Sequence, residues 1–252
     1  MTETGISQRK RNDSTRLLEN SSAARTGGSY ASVGILTMAL IAHLLGGCLG
    51  PDPAKKAAMD QRVAQIQMSK AAYGAPRPVL LQPKVGQWAQ YKSTTGSGLG
   101  FVTFKLVAEE RGAYWIEMIT ENYDGRSFMK RLTDFGDLKD PKTQKVLAMK
   151  VKDTQGRVTE YSPEFVKSAQ NVGNLMVSIS PWGELPQESM QVPAGHFTKC
   201  YRGTVDAGII SGPVWYHSAV PITGMVKSVS EGMFGQTMEL VAFSETGATS
   251  EF

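Results

Sequence analysis

From Val85 onward the chain is cut into short runs rich in β-branched and aromatic residues, and this pattern constrains the fold more than any other feature. The runs are Gly86–Thr95, Gly100–Ala108, Ala113–Tyr123, Ser127–Phe135, Lys145–Lys152, Arg157–Tyr161, His196–Val205, Pro213–Val220, Met225–Val229 and Thr237–Phe243. Arg111-Gly112, Asp124-Gly125, Gln155-Gly156, Gly208 with Gly212, and Gly232 with Gly235 separate them with hairpin or loop chemistry. Alternation gives each strand two faces. Tyr114, Ile116 and Met118 oppose Glu117 and Glu121, and Met238, Leu240 and Ala242 oppose Glu239. Ser162-Pro163-Glu164 reads as an N-cap with Pro at the first helical position, so a helix is expected from Pro163 to Val172. A meander this long must curl or pair sheets to bury its apolar side. The expectation is a mainly β fold: a curved antiparallel sheet with one helical crossing.

Upstream the chemistry differs. Tyr30 to Gly50 carries no charged residue, and Val33 to Leu45 is a mostly apolar run of 13 residues. That length fits the core of a secretory signal, with Arg25 and the earlier basic cluster as its positive region. By length alone the uncharged stretch could also span a bilayer once or form a buried core helix. Leu45-Gly46-Gly47-Cys48 resembles the lipobox of bacterial lipoproteins. The resemblance implies cleavage before Cys48, a diacylglyceryl group on its thiol and acylation of the new amine, which together anchor firmly where one chain is marginal. It further implies a lipid-anchored protein of the cell envelope. Leu49 rather than Asp after the cysteine implies the outer membrane, facing the periplasm. The resulting division is a signal peptide at 1–47, a lipidated cysteine and tether at 48–84, and a β domain at 85–252. Within the tether Met59, Val63 and Ile66 fall at helical spacing, so Ala54 to Tyr73 reads as a short helix or a flexible linker ended by Pro76 and Pro78.

Composition suits a chain with a real core: 41% hydrophobic and 20% charged residues. The net charge of +4 gives no footprint for nucleic acid, because the residues after the leader are close to balanced. A disulfide between Cys48 and Cys200 is open in an oxidising compartment. Lipidation of Cys48 leaves Cys200 as a reduced, buried small hydrophobe.

Val192-Pro193-Ala194-Gly195-His196-Phe197, Val214-Trp215-Tyr216-His217, Val220-Pro221-Ile222-Thr223-Gly224-Met225 and Glu239-Leu240-Val241 resemble a pattern in exported bacterial domains similar to the LolA-like half-barrel group. That resemblance implies a half-barrel over roughly 85–245. The group contains lipoprotein carriers and lipid-binding lipoproteins, and it transfers no catalytic residues.

His196 and His217 could meet across strands, but only Cys200 is near to join them, short of the three or four ligands a metal needs. A Cys200/His217 nucleophile pair would require adjacency that sequence does not show. Gly96-Ser97-Gly98-Leu99-Gly100 precedes a strand, so it reads as a hairpin turn and not a phosphate cradle. The expectation is therefore a non-enzymatic chain without cofactor or metal. Aromatics and methionines on the strands either fill the core or line a cavity; the half-barrel resemblance favours a lining of Trp115, Met118, Phe128, Trp215 and Met238. The apolar tips Gly208 to Gly212 and Gly232 to Gly235 are tucked under a neighbour or used on a partner or bilayer. The main functional expectation is binding of a lipid or other hydrophobic ligand in the half-barrel. The alternative is a structural or accessory subunit that docks on an envelope protein.

Overall fold

The structure, a computed structural model, describes residues 52–77, 82–96, 98–138, 143–168, 185–206, 211–231 and 235–252. The leader with Cys48, the tips at Ile209-Ile210 and Met233-Phe234, Ser97, and the expected helix beyond Ser168 lie outside these residues.

One twelve-stranded sheet organises the chain. Its strands are β1 (Ala72–Tyr73), β2 (Trp88–Thr95), β3 (Gly98–Glu110), β4 (Ala113–Asn122), β5 (Gly125–Asp134), β6 (Lys145–Lys152), β7 (Val158–Glu160), β8 (Gln187–Val192), β9 (Gly195–Asp206), β10 (Ser211–Tyr216), β11 (Met225–Ser230) and β12 (Gln236–Ser244). Two short helices accompany them among the described residues, α1 (Pro53–Ala64) and α2 (Pro163–Ser168). The order across the sheet is β1-β9-β10-β11-β12-β2-β3-β4-β5-β6-β7, with β8 on the other side of β9. Neighbours are antiparallel except β1, which runs parallel to β9. From β7 at one end the chain passes through α2 and re-enters at β8, beside β9 at the far end. This is the expected helical crossing, and Ser162 caps its helix by accepting from the Phe165 N–H at 3.3 Å.

The turns are those the glycines dictate. Arg111 and Gly112 both take positive φ (53° and 80°), as a two-residue hairpin between β3 and β4 requires. The sheet is strongly curled at its β8 end. Four strand spacings would hold β8 about 19 Å from β12 in a flat sheet, yet their Cα atoms come within 8 Å. Register shifts in five strand pairs supply curvature.

Two expectations are corrected. Val241 is the extra residue of a bulge on β12, so Leu240 opposes Tyr91 while Ala242 opposes Gln90 on the other face. Phe243, opposite Ala89, takes the apolar position expected for Ala242. The run expected to extend to Val220 ends at Tyr216, because His217 accepts from the Ala219 N–H at 3.1 Å and turns the chain.

The sheet has an apolar face and an ionic face. Registered rows such as Phe243–Ala89–Phe104–Met118–Met129 and Leu240–Tyr91–Val102 build the first. Rows Lys227–Glu239–Lys92–Phe101–Glu121–Arg126 and Lys105–Glu117–Lys130–Lys150–Glu160 build the second.

Candidate functional site

The apolar face is filled in its middle by the chain itself. The turn between β8 and β9 brings Val192 and Ala194 into the main hydrophobic cluster. The Ala194 N–H donates to the Leu240 carbonyl at 3.0 Å, the position where the β12 bulge interrupts regular pairing. Gly195 has no room for a side chain, since a Cβ there would stand 2.5 Å from the Ala71 carbonyl oxygen. The segment after β10 adds Val220 and Ile222. Its Thr223 hydroxyl lies 2.7 Å from the hydroxyl of Tyr91, which donates to the Met225 carbonyl at 2.9 Å. Burial pushes the Tyr91 phenol well above its ordinary value, so it stays protonated. Two of the four motifs that resemble the half-barrel group, at 192–197 and 220–225, thus plug this face over β2 and β12.

Beyond the plug lies the wing made by β4, β5 and β6. Its apolar face carries Ile116, Met118, Met129 and Met149, with Leu106 of β3 in register beside Ile116. Here also lies Arg131, only 4% exposed, registered between Ile116 and Met149.

The ionic face is covered from two directions. Helix α1 starts at Pro53, capped by Asp52, whose carboxylate accepts from the Ala54 N–H at 2.9 Å. Met59, Val63 and Ile66, the three residues at helical spacing, pack against Phe101, Tyr123, Leu99 and Val241. The Arg62 guanidinium sits 4.2 Å over the Phe101 ring and pairs with Glu121 at 2.6 Å. Tyr123 lies flat on Gly98, whose missing Cβ would otherwise stand 2.1 Å from its ring, and donates to Asp60 at 3.0 Å. Within the stretch expected as tether or short helix, Pro53–Ala64 is helix and Ala72–Tyr73 pairs with β9. Residues 248–252 form the second cover. Ser250 donates to Glu117 at 2.7 Å and the Glu251 N–H donates to it at 2.9 Å. Glu251 pairs with Arg126 at 2.7 Å and with Lys105, and the Phe252 ring lies 5.4 Å from the Lys152 ammonium. Glu117 is fully buried by this arrangement, and each of its oxygens accepts one hydrogen bond.

The five expected lining residues do not share one surface. Met118 and Met238 lie on the apolar face. Trp115 and Phe128 lie on the ionic face: the Trp115 indole donates to Glu110 at 2.9 Å, and Lys152 stands 4.1 Å over Phe128. Trp215 belongs to the main hydrophobic cluster, while its register partners are Arg202 and Lys227 and its indole donates to Glu188 at 2.9 Å. Cys200 is free and buried, its thiol pushed up to about 12 by burial. The ring nitrogens of His217 face the Gly74 carbonyl at 2.7 Å and the Ala219 N–H, which leaves neither for Cys200 or His196. Among the described residues no group of three His, Cys, Asp or Glu could hold a metal, and no helix is long and apolar enough to cross a membrane. Sequence reading missed Arg131, because an isolated basic residue between Lys130 and Leu132 looks like any solvated strand position.

No family model matches the chain, and no curated protein matches it. Two solved structures are distantly similar to it. One is MucB, 10% identical with a TM-score of 0.36, over 80% of this chain and 62% of that one. The other is described as a "putative lipoprotein" from Parabacteroides distasonis ATCC 8503, 13% identical with a TM-score of 0.29, over 66% of this chain and 98% of that one. The chain thus spans less than two thirds of MucB.

Proposed function

We propose that this is a lipid-anchored cell-envelope protein that holds a hydrophobic ligand against the apolar face of its β4–β6 wing. The anchor is the Cys48 thiol, which follows the apolar run from Val33 to Leu45 and Gly46-Gly47. The observation that carries the binding reading is the division of the apolar face. The β8–β9 turn and the Thr223 segment fill its middle, whereas the wing adds three methionines, Met118 and Met149 buried and Met129 half-buried, whose flexible thioethers suit varied apolar ligands. Native mass spectrometry of the full chain, purified after extraction, tests it. One non-covalently bound amphiphile per chain is expected. An acylated chain carrying no such ligand, and taking up none from mixed phospholipid vesicles, overturns the binding reading.

A second reading, a docking subunit of an envelope assembly, draws on the same plug. A face already filled by Val192, Ala194, Val220 and Ile222 needs no ligand to be stable. The absence of any bound lipid would favour it.

A further inference from the structure

Two ionisable side chains on the neighbouring strands β4 and β5 are almost wholly buried, and they are treated in opposite ways. Glu117, on the ionic face of β4, receives Ser250 and Glu251 and lies in register between Lys105 and Lys130. Arg131, on the apolar face of β5, lies in a row with Leu106, Ile116 and Met149, each at most 5% exposed. Its Nη2 has no hydrogen-bond partner, and no carboxylate pairs with it among the described residues. Burial is the sole cause that lowers its pKa, to about 9, so it keeps its charge at neutral pH. Glu117 cannot neutralise it, because the sheet stands between them.

An uncompensated buried charge is strongly destabilising, and an apolar side chain of similar volume in its place is often neutral or better. Its surroundings indicate what would compensate it. Thr133 follows two residues along β5 on the same face, 2% exposed, with its Oγ1 also unpartnered. On the other side of Arg131 lie Met129 and Met118, in register with each other. A planar donor fork, a hydroxyl and an adjoining apolar strip are arranged along one line.

We infer that Arg131 and Thr133 form a subsite for the anionic head of an amphiphile, a carboxylate or phosphate monoester, whose hydrocarbon lies along Met129 and Met118. This rests on the hydrophobic-ligand reading and names the polar end of that ligand. The guanidinium donates two parallel hydrogen bonds to the oxyanion, and the threonine hydroxyl donates a third.

The test is calorimetric titration of the full chain with dodecanoate, dodecyl phosphate, dodecanol and inorganic phosphate. The wild type binds dodecanoate or dodecyl phosphate about tenfold to a hundredfold more tightly than dodecanol, the range for hydrogen bonds to a buried charge. Arg131→Met abolishes that preference, leaves dodecanol binding unchanged, and does not lower the thermal midpoint. Arg131→Lys retains part of the preference. Equal affinity for dodecanoate, dodecyl phosphate and dodecanol in the wild type overturns the Arg131 subsite while sparing the hydrophobic-ligand reading, and this arm requires no variant to fold. Binding of none of the four overturns both. Inorganic phosphate bound as tightly as dodecyl phosphate, and lost in Arg131→Met, upholds the anion subsite but assigns it a free anion, which overturns the hydrophobic-ligand reading.

Discussion

His217 shows how one ring can hold two segments together. Its Nδ1 accepts from the Ala219 N–H, which leaves its Nε2 as the donor to the Gly74 carbonyl and ties β1 to the end of β10. Burial lowers its pKa below the ordinary 6.5, outweighing the Gly74 bond, which acts the other way. The unfolded chain therefore takes up the proton first as pH falls. Stability is fully present above about pH 6.5 and declines below it, as the unfolded ring protonates. The carboxylates held low by their partners, among them Glu239 and Glu251, add their own losses only below their ordinary 4.5. Urea unfolding at pH 7.5, 6 and 5 should show a decline for the wild type, and His217→Gln should flatten it. An unchanged slope would mean the ring does not couple to folding. Such roles were partly legible in the sequence. Cys200 reads correctly as a buried thiol. The tryptophans were not legible, because Trp115 and Trp215 sit on strands of mixed polarity and only the partners Glu110 and Glu188 decide their surroundings.

At the level of elements, what was readable depended on whether a segment carries its own reason for its shape. Helix α1 does: an Asp52 cap, Pro53 at the first turn, and Met59 and Val63 on one stripe. Strand β6 does too, its expected limits Lys145–Lys152 matching those observed. Strand β8 does not. Gln187, Glu188, Ser189 and Gln191 have little β preference, and pairing with β9 alone makes them a strand. The C-terminal segment 248–252 is another case, with no regular structure and a function only in the company of Glu117. Deleting 249–252 removes both hydrogen bonds to that carboxylate and leaves Lys105 and Arg126 without Glu251. The expected cost is about 1–3 kcal/mol in unfolding free energy. Glu117→Gln made in the truncated chain should then add little, since the partners are already gone. A truncated protein with the wild-type urea midpoint would show that the segment contributes nothing.

The whole molecule is a sheet that buries both faces by different means, one with its own turns and the other with a helix and a terminal strap. The sequence predicted the mainly β, curved, antiparallel character and the helical crossing, because hairpin glycines and alternation are local signals. It could not predict that β9 would be flanked by β8, β10 and β1, since that arrangement joins segments far apart in the chain. At this scale the anchor itself is open to test. Cys48→Ala should leave an unprocessed precursor that takes up no labelled fatty acid, beside a shorter, labelled wild type on the same gel. Equal full-length migration of both, without label, would refute the lipoprotein reading.

The cap at Asp52 has a geometric corollary if Cys48 carries the lipid. Four residue steps separate that cysteine from Asp52, the cap of a docked helix, and a fully stretched chain covers at most about 14 Å over such a distance. The leash is thus shorter than the headgroup layer plus one helix diameter. The body cannot swing out across the periplasm like a ball on a string. A body so anchored would ride against the bilayer with the α1 side of its sheet near the lipid surface, and reaching any more distant partner would fall to another molecule.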